Sequence, residues 1–243
     1  MISLIFLLFW NFSGIEYCYV FANNSSQSGT SDDSDTKEPK NISISNDDRW
    51  IAVKPEMFSK IDKLSGAGNY YTILSDSLGG HLIHADYHPL HQVVKLGYAI
   101  PATISTDGKI AWDWRIITPP HGSSEKINGK NDSGCSVYLI FNELLMTYII
   151  KYVYSETLPV GTVVIKDLMN PMQKMYMIVA GSLKISSPGN WEHVETNYRG
   201  DFKLLFKKNV CPPLAGIGIL SDGDQTSSEV VAEYRNFLIS KTE

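Results

Sequence analysis

From Trp50 onward the apolar residues recur with a period of two or gather in short solid runs, and Gly, Pro, Asn and Asp interrupt them about every ten residues. That rhythm leaves no room for a helix after each strand, so it excludes a doubly wound α/β fold and requires many short strands. It predicts strands over 70–74, 81–87, 93–100, 110–118, 136–141, 147–154, 162–165, 174–181, 191–197, 214–220 and 230–239. Within 110–118, Ile110, Trp112, Trp114 and Ile116 alternate with Lys109, Asp113 and Arg115, so one face of this strand belongs to the core. The runs VYLIF (137–141) and AGIGIL (215–220) are apolar throughout and belong in the middle of a sheet. Only 201–208 reads as helix, with Asp201 as its cap and Phe202, Leu205 and Phe206 on one face. The expectation is an all-β domain over 49–243, a two-sheet antiparallel sandwich of jelly-roll type with one short helix.

Two segments precede that domain. MISLIFLLFWNF is almost wholly apolar, and small residues follow near Ala22, which reads as a secretory signal peptide over 1–22 and a periplasmic or extracellular destination. The apolar run carries no leading Lys or Arg, which leaves an uncleaved anchor as the alternative, although it is shorter than the ~20 residues of a membrane span. Apart from this signal, no membrane association is expected. Residues 23–48 are Ser, Asn and Asp with almost no apolar content, too little to offset the entropy of ordering, and read as a disordered spacer. The net charge of −5, with Lys and Glu interspersed, supplies no basic stripe and argues against a nucleic-acid partner.

The order of several short motifs adds to this. Trp112-x-Trp114, the apolar strand ending in Phe141, Tyr152-Val153-Tyr154 followed by Pro159-x-Gly161, Trp191, 201–206, Pro212-Pro213 and Asp222-x-Asp224-x-Thr226 follow one another in the sequence. In that order they resemble an exported bacterial family of uncharacterised proteins, the domain-of-unknown-function family 3047, over roughly 70–238. The resemblance implies a β-sandwich and brings no established catalytic residues. This chain departs from the family's pattern at Asn131-Asp132 and Ser136, where relatives tend to carry an acidic pair and an Arg. It departs again at Asn236, where an acid is usual.

Candidate sites follow from residue type and position. Asp222, Asp224 and Thr226 place oxygen-bearing side chains at alternate positions after an apolar strand, the spacing by which a loop wraps calcium, and Glu229 or Glu233 would complete the shell. The bland reading is a hairpin stabilised by Asp and Thr bonding their own backbone. Asp113 and Arg115 share the outer face of the Trp strand, and Asn236 interrupts the apolar even positions Val230, Ala232, Tyr234 and Leu238. With Trp191 and Tyr198 as stacking rings, these groups would suit a sugar, while surface ion pairing and a satisfied core amide are the ordinary explanations.

His81, His84, His88 and His91 fall close together, but in a strand His81 and His84 point to opposite faces, which opposes a zinc site. Cys135 reads as a small buried hydrophobe, with a bond to Cys211 as the alternative. Arg199-Gly200-Asp201 reads as coincidence, since Asp201 is wanted as a cap. No nucleophile elbow, phosphate loop or zinc-protease helix is present. Three functions therefore stay open: a non-catalytic binder of envelope or extracellular carbohydrate, a polysaccharide lyase or hydrolase on the same scaffold, and a structural envelope protein. The oligomeric state is not legible.

Overall fold

The computed structural model of the chain describes residues 49–61, 69–77 and 79–242. The signal expected over 1–22 and the spacer expected over 23–48 lie outside the described residues. The strands are β1 (Trp50–Val53), β2 (Ser59–Lys60), β3 (Tyr71–Ser75), β4 (His81–Tyr87), β5 (Leu96–Ala99), β6 (Thr106–Thr118) and β7 (Cys135–Glu143). They continue as β8 (Met146–Ser155), β9 (Val163–Lys166), β10 (Gln173–Ser182), β11 (Glu192–Asn197), β12 (Leu214–Leu220) and β13 (Val230–Lys241). One helix, α1 (Tyr198–Phe206), carries the chain from β11 to β12. The described helix is too short to cross a membrane.

The strands form two facing sheets, a sandwich of jelly-roll type. The first has six strands in the order β11-β6-β13-β4-β3, with β1 also paired to β13; the second has seven, β2-β5-β12-β7-β8-β10-β9. On one flank of β13, β4 covers Val230 to Tyr234 and β1 covers Phe237 to Ser240. One pairing departs from the antiparallel expectation, for β8 and β10 run parallel. The chain leaves β8, runs down the edge as β9 and returns as β10 between them, antiparallel to β9. Alternation fixes which side chains face inward and says nothing about the direction of a neighbour.

The core grows from the alternation. Ile110, Trp112, Trp114 and Ile116 of β6 are buried against the second sheet. The two indoles meet edge-on at 5.3 Å, and Trp112 packs on Tyr152 at 5.5 Å and Trp114 on Tyr154 at 5.8 Å. These centroid separations are those at which aromatic pairs attract beyond their area burial. The expected apolar runs became β7 and β12, both central in the seven-stranded sheet. Helix α1 sets Phe202 against Phe141 at 4.9 Å and Tyr148 at 5.4 Å. It begins earlier than expected because Tyr198 is itself buried, and its cap is Asn197, whose Oδ1 accepts the Gly200 N–H at 3.0 Å. Asp201 sits inside the first turn instead and accepts the Tyr152 hydroxyl at 2.6 Å. Cys135 is buried and Cys211 partly so, and both are free thiols, so the alternative of a bond between them falls away.

The even-position reading of β13 holds only halfway. Val230, Ala232 and Tyr234 face the core, but Phe237 and Ile239 follow them inward, while Leu238 is only partly buried. The cause is an extra residue: Arg235 pairs with Asp113 and Leu238 with Ala111, so two residues of β13 oppose Trp112. Asn236, at φ 56°, supplies the left-handed backbone of that bulge. Asn tolerates this conformation better than most residues do.

Candidate functional site

With Trp112 and Trp114 inward, Asp113 and Arg115 project from the outer face of the first sheet, and register decides what meets them. Asp113 faces His193 of β11 on one side and Arg235 of β13 on the other. Arg115 faces Glu233, and Glu233 in turn faces His84 of β4. Two polar rows therefore cross the sheet side by side.

Each row is closed by short contacts. Asp113 Oδ1 lies 2.7 Å from His193 Nδ1, and its Oδ2 accepts the Asn236 amide at 2.7 Å and Arg235 Nε at 3.3 Å. Arg235 Nη1 reaches on to Asp76 at 2.5 Å. Glu233 receives Arg115 Nε at 2.6 Å and Nη2 at 2.5 Å and lies 3.0 Å from His84 Nδ1. The guanidiniums of Arg115 and Arg235 both stack on the Trp191 ring, at 4.6 and 3.9 Å. Arg235 and Glu233 are nearly buried, so each charge depends on its partners to compensate lost hydration.

Beside the bulge the surface opens into a cavity of about 910 Å³. Residues 52–57 and the Gly79-Gly80 turn wall it, and Glu56, His81, Asp113, His193 and Asn236 present polar atoms to it. The bulge matters here, because the extra residue turns Asn236 outward to the Asp113 carboxylate and opens the strand between β4 and β1. His81 Nδ1 contacts Glu56 across the rim. Partial burial pushes the Glu56 carboxyl up, but hydrogen bonds from its own backbone amide and from His81 outweigh it and hold the group below its ordinary value.

Of the expected ligand-binding residues, Asp113, Arg115, Trp191 and Asn236 fall into this network, Asp113 and Asn236 in the cavity itself. Tyr198 does not: it is buried at the start of α1, with its hydroxyl on Thr106 at 2.5 Å, and meets no surface ligand. Trp191 is also corrected in role, since its ring stacks on two guanidiniums and does not line the cavity. His193, Glu233, Arg235 and Glu56 were not singled out for this site from the sequence. Only strand register brings the first three to Asp113 and Arg115, and register is not written in any one strand.

The acidic loop gives a second cluster. Asp222 and Asp224, in the connection after β12, meet Asp132 from the connection before β7, with one oxygen of each within 4.8 Å of the others. Thr226, expected as a ligand, instead donates its hydroxyl and its N–H to Asp132, both at 2.7 Å, and Gln225 N adds a third bond at 3.2 Å. Asp132 thus stands where Thr226 was expected. Glu229 and Glu233 do not complete the shell, for Glu229 contacts His88 at 3.1 Å and Glu233 serves Arg115. The histidines hold separate carboxylates: His81 takes Glu56, His84 takes Glu233 and His88 takes Glu229. Among the described residues the three aspartates are the one group arranged to hold a metal.

Sandwich, groove and acidic cluster together define a jelly-roll protein with a polar site on its outer face. By sequence the chain belongs to the family described as protein of unknown function (DUF3047), whose model matches residues 54–238. No curated protein matches it. Among solved structures, the xyloglucanase domain of NopAA from Sinorhizobium fredii is 11% identical at a TM-score of 0.41, covering 79% of this chain and 97% of that one. Endoglucanase 3 of Trichoderma harzianum, from family GH12, is 13% identical at 0.41, covering 80% and 95%. A carbohydrate-binding module of Caldicellulosiruptor saccharolyticus, CBM27-1, solved with mannohexaose, is 11% identical at 0.37, covering 80% and 98%. Likenesses this distant assign no activity.

Proposed function

We propose that the chain is a non-catalytic binding protein that takes a carbohydrate in the cavity beside the β13 bulge. The observation that carries this reading is the convergence of Glu56, His81, Asp113, His193 and Asn236 on one cavity of about 910 Å³, within the rough 300–1,000 Å³ range of small-molecule sites. Sugar hydroxyls are recognised by acceptors and donors held in fixed positions, and here each polar group is oriented by another: Asp113 by His193, Arg235 and Asn236, and Glu56 by His81. Met57 and Leu238 add apolar surface for the C–H face of a ring. Asp113 is already engaged by three donors, which suits a fixed acceptor better than a proton shuttle. The apolar leader read over 1–22 supports export, so the carbohydrate would be met in the envelope or outside the cell.

A second reading has its own support. His193 on Asp113 and His81 on Glu56 are two histidines each held by a carboxylate at one cavity, a pairing that can orient a general base. This is the lyase or hydrolase alternative. The test joins a glycan array with an assay for new reducing ends and unsaturated products. Binding without turnover is expected, weakened about tenfold, or ~1.4 kcal/mol, by His193→Ala or by His81→Ala. Both side chains are more than half exposed, so neither variant should change the melting temperature. Turnover on any glycan refutes the binding-only reading. Absence of both signals refutes the carbohydrate reading and leaves a structural envelope protein.

A further inference from the structure

The three aspartates lie outside the groove and play no part in it. Asp132 and Asp222 are almost fully buried, and Asp224 partly so. Protein donors reach only some of their oxygens: Ser133 N serves Asp222 at 3.2 Å, and Gln225 and Thr226 serve Asp132. Asp224 Oδ1 is buried with no partner at all. A buried unmet acceptor costs about 1–3 kcal/mol, and more when it is charged.

A second observation, independent of the carboxylates, points at the same spot. Tyr87, at the end of β4, is fully buried, and its hydroxyl has no hydrogen-bond partner. Burial raises its phenol, and the charges of Asp224, Asp222 and Asp132 raise it further; Tyr87 also pairs with Val230, where the acidic connection enters β13. The carboxyls respond in the same sense. Burial, with like-charge repulsion between these aspartates, pushes Asp222 up to about 7 and Asp224 up to about 6. Lys151 is the cation that opposes this at Asp222, one positive charge against three carboxylates.

We propose that Asp132, Asp222 and Asp224, with the buried and unpartnered Tyr87 hydroxyl nearby, bind one calcium ion that ties the connection before β13 to the connection before β7. The donor set is all oxygen and contains no His or Cys, which selects a hard cation over zinc or copper. A mutual separation within 4.8 Å is no wider than the span of two calcium–oxygen bonds of about 2.4 Å. Calcium is favoured over magnesium because calcium accepts carboxylates in irregular shells, whereas magnesium demands near-octahedral geometry and keeps most of its water. The partly exposed side of Asp224 gives water and ion an entrance.

Binding to the native state alone raises its stability by mass action. The test is therefore thermal melting and isothermal calorimetry of the whole protein, stripped with chelator and titrated at pH 8 with calcium, magnesium or zinc chloride. A melting temperature that climbs by several degrees over roughly 0.1–1 mM calcium, the range of extracellular sites, and less with magnesium, is the expected result. The double variant Asp222→Asn, Asp224→Asn should remain folded in chelator and lose the calcium response, and Tyr87→Phe should reduce it. No heat and no shift with calcium overturns the proposal. So does a calcium response that survives in the double variant, or a zinc response that disappears with His84→Ala.

Discussion

Asn236 offers the sharpest test of how this sheet is built. Its backbone sits at φ 56°, and its amide donates to Asp113 at 2.7 Å. An Ala at this position forfeits both adaptations. The left-handed conformation costs an ordinary residue about 1–2 kcal/mol, and loss of a hydrogen bond to a partly exposed carboxylate costs about 0.5–1.5 kcal/mol. Asn236→Ala is therefore expected to destabilise by roughly 1.5–3.5 kcal/mol. Asn236→Gly loses the same hydrogen bond but fits the backbone, and gives back only part of that gain through the freedom of glycine in the unfolded chain. The predicted order of stability is Asn above Gly above Ala, with Val lowest because its branched side chain fits left-handed backbone worst.

Urea denaturation followed by circular dichroism measures these differences directly. An Ala variant as stable as the Gly variant would refute the left-handed assignment. Excision of Asn236 is the converse experiment. Without it Val230, Ala232, Tyr234, Phe237 and Ile239 stand in strict alternation, and Phe237 falls opposite Trp112 in a regular ladder. The excised chain should therefore fold, keep its core and lose ligand binding at the groove. Failure of that chain to fold would mean that the bulge is needed for the sheet and not only for the site.

Two further outcomes follow from the acidic loop. In chelator, Asp222 keeps its proton up to about pH 7 in the native state but only to about 3.8 when unfolded. The native state then holds protons that the unfolded chain has released, so this group's contribution to stability is full below pH 3.8 and falls as pH rises toward 7. The ceiling is about 4 kcal/mol at ~1.36 kcal/mol per pKa unit, and Asp222→Asn should gain on the wild type between pH 4 and pH 8 in urea titrations, whereas a pH-independent difference would contradict the burial argument. Gly223→Ala should cost about 1–3 kcal/mol through overpacking, because an added Cβ would stand 2.3 Å from the Ser228 carbonyl oxygen; a wild-type melting curve would show that the loop is looser than described.

What the sequence could state was whatever repeats within one strand. The face of β6 that carries Trp112 and Trp114, the limits of β4 and β12, and the central place of VYLIF and AGIGIL were all legible, because period two and apolar runs are local signals. β1 and β2, with four and two residues, were too short to show any period. The parallel pairing of β8 with β10 was hidden for a different reason, since no residue on either strand records the direction of its neighbour. Of the polar site, the sequence exposed the residues that break a pattern, Asp113 and Arg115 between tryptophans and Asn236 within an apolar strand. It could not expose His193 or Arg235, whose meaning arises only when β11 and β13 are laid on either side of β6. Asp132 is the same case across a longer separation, for spacing rules scan one loop at a time, and this third carboxylate arrives from another connection. Asn236 and Asp132 were nevertheless marked, as places where the chain leaves its family's pattern, and each lies in one of the two polar clusters. Groove and acidic cluster meet along β13. The connection before the strand carries Asp222 and Asp224, and the bulge within it carries Asn236. An ion that steadies the start of β13 would also steady the strand that shapes the groove, so calcium should slow hydrogen exchange in 230–236 more than in β8 and β10, and equal protection of all three strands would separate the two sites.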